Sequence, residues 1–179
     1  KRATSGEICS AIEGVGGILN AGTNRELTIY WAKTAKIHFP LALDVLTDII
    51  LNSKFDPAEI ERERQVVIEE INMSKDSPSS RVNLLIDEIL WPGHPLGRDI
   101  AGSKESMTAI TRESILDYLK RQYSPSNTVV SLAGNIKHQE AVDMVSQATA
   151  GWTNRQPRPE YLPYKEQPNP RLLLEQKET

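Results

Sequence analysis

Apolar residues recur at helical spacing along most of this chain, and with a period of two along one short stretch. Ile60 to Ser74 carries the strongest pattern and contains no Gly or Pro. At about 100° per residue, Ile60, Val67 and Ile71 stack on one face with Val66 and Ile68 on its flanks. Glu61, Arg62, Gln65, Glu69 and Asn72 form the wet face. Asp56 and Pro57 supply an N-cap and a first residue for this helix. Upstream, Thr4 with Glu7 reads as a capping box opening a helix whose inner face is Ile8, Ala11, Ile12 and Val15, and Gly14, Gly16 and Gly17 stop it. Ile18–Thr23 and Glu26–Lys36 read as two strands around a turn at Asn24-Arg25, hence an antiparallel hairpin. Further stripes predict helices through Leu41, Val45, Leu46, Ile49 and Ile50; through Val82, Leu85, Ile86, Ile89 and Leu90; through Ile115, Leu116 and Leu119 after a Thr111 cap; and through Ala141, Val142, Val145 and Ala148. The apolar run within residues 127–134 predicts a buried strand of the hairpin's sheet. Trp91 to Arg98 is a turn-rich loop. Together these predict an α+β fold, an antiparallel-rich mixed sheet with helices packed on one face. Residues 1–152 form the folded region, and 153–179 a proline-rich linker in which Arg171–Leu174 can begin another strand.

Composition narrows the function classes. A chain of 179 residues with 25% charged residues suits one soluble core, and only 6% aromatics makes that core aliphatic. The net charge of −3 with no basic patch argues against nucleic acid as a partner. No apolar run approaches membrane-spanning length. One cysteine, Cys9, excludes an internal disulfide and a cysteine zinc cluster within these residues.

Two carboxylates break the helical pattern. Glu63 and Glu70 fall between Val66 and Val67 in angle, inside the apolar arc, about two turns or ~10 Å apart along the axis. A carboxylate facing a core needs a cation, a metal or a donor beside it. Two readings follow: edge residues that snorkel or pair with an arginine, or a metal ligand with a supporting carboxylate. Other chemistry is sparse. His-Glu-x-x-His, its inverse, the P-loop and the Gly-x-Ser-x-Gly elbow do not occur. His38, His94 and His138 lie on different elements and read as surface or turn residues, and Cys9 as a structural thiol. Gly14-x-Gly16-Gly17 follows a helix, which excludes a dinucleotide fingerprint.

Three blocks in order carry a resemblance: Gly16-Gly17-Ile18-Leu19-Asn20-Ala21-Gly22-Thr23, then Glu59 through Ile71, then His94-Pro95-Leu96-Gly97-Arg98-x-Ile100-x-Gly102. In these the chain resembles the pitrilysin/insulinase family of zinc peptidases, which includes the mitochondrial processing peptidases and bacterial zinc proteases. The resemblance implies an inverzincin, in which two histidines and a catalytic glutamate come from His-x-x-Glu-His. It makes Glu70 the third Zn2+ ligand and Glu63 the glutamate that steadies the site. The metal motif would lie before Lys1, so the chain reads as the part of an N-terminal peptidase domain that follows it. The sheet's first strands would then come from a segment upstream or from another chain. Leu19, Asn20, Ala21 and Gly22 resemble the family's substrate-binding edge, to which a peptide or unfolded protein segment adds as a strand. The implied activity is zinc-dependent endopeptidase action by metal-activated water. The alternative is a non-catalytic partner of the same fold, structural or substrate-presenting. The implied partner is a second homologous domain or subunit, a homodimer being one form. The implied compartment is the bacterial cytoplasm, with the mitochondrial matrix or periplasm as alternatives.

Overall fold

The computed structural model describes residues 2, 4–153, 163–164 and 169–176. The fold is α+β, and its described residues divide into two compact units, one built from residues 1–55 and 113–158, the other from 56–112 and 159–179.

The first unit holds helix α1 (Ser5–Glu13), strands β1 (Ile18–Thr23) and β2 (Thr28–Lys33) and helix α2 (Phe39–Leu51). The Thr4–Glu7 capping box forms as expected: the Glu7 N–H donates to Thr4 Oγ1 and the Thr4 N–H to Glu7 Oε2, both at 3.2 Å. The chain leaves α1 through Gly16, whose φ of +72° is the left-handed conformation that favours glycine. β1 and β2 pair antiparallel with Ile18 opposite Lys33 and Thr23 opposite Thr28. The two strands are joined by an Asn24 turn, in which Asn24 Oδ1 accepts from the N–H groups of Glu26 and Leu27. Leu19 and Ala32, which face each other across the ladder, pack on the core of Ile12, Ala42 and Val45. Helices α1 and α2 therefore cover that face of the hairpin. The opposite face carries Ile18, Ile29 and Trp31, all exposed.

Helices α6 (Arg112–Gln122) and α7 (His138–Ala148) complete the unit apart from Arg112. Ala141 of α7 is buried. The Tyr30 and Tyr123 hydroxyls lie 3.0 Å apart, and Trp152 Nε1 donates to the Tyr123 carbonyl. Residues 128–133 do not join the hairpin's sheet, and among the described residues that sheet has two strands. The expected buried strand is instead an unpaired segment with Val129 91% exposed. A strand needs a hydrogen-bonding neighbour, and an apolar run does not supply one. In α2 the buried set is Ala42, Leu43, Val45 and Asp48, and Leu41 and Ile49 pack against the same core, so the expected aliphatic stripe faces inward with a buried aspartate added to it. Asp48 is held by the Arg2 N–H at 3.1 Å and by Asn52 Nδ2 at 2.9 Å.

The second unit holds α3 (Pro57–Asp76), α4 (Pro78–Leu90) and the short α5 (Lys104–Ala109), which hydropathy alone does not mark. Asp56 caps α3 by accepting from Ala58 and Glu59. Arg171–Leu174 form no paired strand, and Leu172 and Leu174 are exposed. Glu175 instead takes a bidentate ion pair from Arg81 on α4, at 2.7 to 3.0 Å. Of the linker prolines, Pro157, Pro159 and Pro168 lie outside the described residues.

Candidate metal-ligand helix and substrate edge

Helix α3 buries Ile68 and Ile71, with Ile60, Arg64, Val67 and Ser74 half-buried. At about 100° per residue the centre of this arc lies roughly 80° from Glu63 and roughly 100° from Glu70. Both glutamates, with Val66 and Met73, are exposed. This corrects the expectation that the two carboxylates face a core. Periodicity gave the arc's apolar members but not its centre, because an arginine occupies the middle of it. Arg64 is 14% exposed and donates to the carbonyls of Met107 and Ile110 at the end of α5, while pairing with Glu61 at 2.9 Å. A helix C-terminus leaves carbonyls without partners, and a guanidinium satisfies two at once. The Glu61 carboxyl, bonded by Gln65 and then by Arg64, is held below its ordinary range.

Glu59 and Glu61 are thus paired with arginines on their own helix. The side chains of Glu63 and Glu70 make no hydrogen bond or ion pair with a described residue, and neither does that of Glu69. An exposed, unengaged carboxylate fits the role of a single oxygen ligand, and Glu70 can offer that to a zinc ion. Zinc sites in hydrolases take three protein ligands. Among the described residues no group of three His, Cys, Asp or Glu side chains comes together as a metal site. His94 is committed elsewhere: its Nδ1 accepts from the Leu96 N–H at 3.2 Å, which caps the turn at Pro95–Gly97. His38 ends the turn before α2, and His138 opens α7.

The expected substrate edge lies on β1. Leu19 is half-buried against the core, while Asn20, Ala21 and Gly22 are exposed. Asn20 Oδ1 accepts from the Ala21 N–H at 2.7 Å. Space around Gly22 is open: a Cβ there would meet nothing within 4 Å.

Residues 1–104 match the family model described as insulinase, peptidase family M16, and residues 109–179 match that of the M16 inactive domain. The chain belongs to the M16 family of zinc peptidases. It is 39% identical over 142 residues to an uncharacterized zinc protease of Mycobacterium leprae, covering 79% of this chain and 32% of that protein. It is 40% identical over 134 residues to a probable mitochondrial-processing peptidase subunit beta of Arabidopsis thaliana, covering 75% of this chain and 25% of that one. Its fold is similar to the crystal structure of a protease from Helicobacter pylori, with a TM-score of 0.83 at 23% identity, over 92% of this chain and 40% of that chain. The chain therefore spans about a third of the length of the curated relatives it matches. Among the described residues no helix is long and apolar enough to cross a membrane.

Proposed function

We propose that the protein containing this chain is a zinc metalloendopeptidase that hydrolyses peptides or unfolded protein segments. Residues 1–152 belong to its N-terminal peptidase domain, and 153–179 lead into the next segment. The observation that carries this reading is the pair Glu63 and Glu70 on the exposed face of α3, within the stretch that matches the insulinase model. Glu70 supplies one carboxylate ligand, and the remaining ligands and the general base come from outside these residues. A bound zinc would polarise the scissile carbonyl and lower the pKa of its water. Glu63, about two turns away on the same helix, holds the ligand set in register rather than binding the ion. The Leu19–Gly22 strand receives the substrate backbone as an added strand, and the small side chains of Ala21 and Gly22 let that backbone approach. A second homologous domain or subunit is the expected partner.

The purified full-length protein tests this. It should cleave a quenched peptide, lose that activity to a zinc chelator and recover it with stoichiometric Zn2+. A full-length protein that binds no zinc and cleaves nothing would instead fit the non-catalytic partner.

A further inference from the structure

On the hairpin face turned away from Ile12, Ala42 and Val45, the positions are Ile18, Asn20 and Gly22 along β1 and Ile29, Trp31 and Lys33 along β2. The ladder sets Gly22 opposite Ile29 and Asn20 opposite Trp31. Ile29 is 51% exposed and Trp31 41%. Gly22 is therefore a gap in this face: a Cβ there would meet nothing within 4 Å. Along the rest of β1, Ile18 and Asn20 stand between the outer edge and the side chains of β2. The gap alone gives a group at that edge a line to Ile29, and diagonally to Trp31.

We propose that the gap at Gly22 is a specificity subsite, floored by Ile29 and Trp31, which selects a large apolar side chain in a bound peptide. The inference rests on the reading that a peptide adds to β1. A residue directly opposite Gly22 projects its side chain to the same face. Neighbouring strands lie about 4.8 Å apart, so its backbone sits roughly 10 Å from that of Ile29. Phe, Tyr, Leu or Met spans most of that distance, covers Gly22 and meets Ile29, whereas Ala or Ser ends above Gly22. An aromatic laid across a strand glycine is itself a stabilising arrangement. The next peptide residue on this face, two positions along, meets the Asn20 amide and is polar or small. The face as a whole is interrupted by Asn20 and Lys33, which a permanently packed layer would have to desolvate. The gap is also continuous with the edge that takes the peptide, so the peptide is its occupant.

The test measures binding of two fluorescein-labelled decapeptides to the full-length protein by anisotropy, with added Zn2+ and again with a zinc chelator. Both peptides are built of Ser and Thr, and they differ only in a central Phe or Ser. The uniform host lets the peptide slide until Phe lies opposite Gly22. The Phe peptide should bind about 5- to 10-fold tighter, the size of an aromatic cross-strand contact. Gly22→Thr, which fills the gap, and Ile29→Thr, which keeps the strand propensity and removes the apolar floor, should each bring that ratio down to about 2-fold or less. Equal binding of the two peptides by the unsubstituted protein would overturn the proposal. So would binding of neither, or a ratio that survives in both variants. Cleavage in the Zn2+ arm scores the peptidase reading separately: a protein that prefers the Phe peptide and cleaves neither keeps the subsite and loses the activity.

Discussion

The Arg64 guanidinium donates a 2.8 Å hydrogen bond to the carbonyl of Ile110, 46 residues away, and a further one to the carbonyl of Met107. It joins the middle of α3 to the end of α5. Arg64→Met keeps the length of the stem and leaves those carbonyls without a donor. The expected cost is about 1.5–3 kcal/mol, the range for hydrogen bonds to a charged group, read from urea unfolding of the full-length protein. Arg64→Lys should recover only part of it, because an ammonium cannot reproduce the guanidinium fork. An unchanged unfolding midpoint in Arg64→Met would contradict the assignment.

Gly17 lies where α1 turns into β1, against the fully buried Ile12. An added Cβ would sit 2.8 Å from Ile12 Cγ2 and from Thr34 Cγ2, and 2.9 Å from the Ile12 carbonyl oxygen. Gly17→Ala should therefore destabilise by about 1–3 kcal/mol through overpacking. Gly22→Ala meets open space and serves as the control. Equal unfolding midpoints for the two variants would argue against this packing.

Burial first, and then its hydrogen bond with Tyr123, push the Tyr30 phenol above its ordinary pKa of 10.0. The sign follows from the linkage. The unfolded chain releases this proton at lower pH than the folded one, so the contribution is complete below pH 10.0 and declines as pH rises above it. Tyr30→Phe should flatten the fall in stability between about pH 9 and about pH 11 that this phenol contributes. Paired unfolding curves at the two pH values check this, and an identical slope in both proteins would exclude a shifted Tyr30.

Much of this fold was legible in the sequence because its signals are local. The Thr4–Glu7 box, the Asp56 cap and the Asn24 turn each depend on residues within a few positions of one another, and each forms as read. The signals that failed are those that depend on distant partners. Arg64 looks like one more charge on a charged helix until the α5 carbonyls come to meet it. Residues 128–133 have strand composition, but pairing is decided by what lies beside them. The buried Asp48 of α2 finds its partner in Arg2, 46 residues earlier. For the site, spacing placed Glu63 and Glu70 on one face of one helix, whereas their zinc roles came from the resemblance.

Arg81 and Glu175 tie the segment 169–176 to α4 through partly exposed groups, with side chains 27% and 42% accessible. Such a pair contributes about 1 kcal/mol or less and is screened by salt. Arg81→Gln should leave global stability nearly unchanged while speeding hydrogen exchange over residues 171–176. Equal exchange in the variant and the unsubstituted protein would show that the segment is held without the ion pair.

The division of roles between Glu70 and Glu63 is tested most directly by zinc per chain, measured by atomic absorption on full-length Glu70→Gln and Glu63→Gln proteins. Both substitutions are nearly isosteric and both side chains are exposed, so folding should survive in each. Glu70→Gln removes a charged oxygen ligand and should bring zinc content and peptide cleavage down sharply together. Glu63→Gln should keep the ligand set and lose only roughly 10- to 100-fold in affinity or activity. Full zinc occupancy and full activity in Glu70→Gln would contradict the ligand assignment, and equal, total loss in both variants would contradict the division between them.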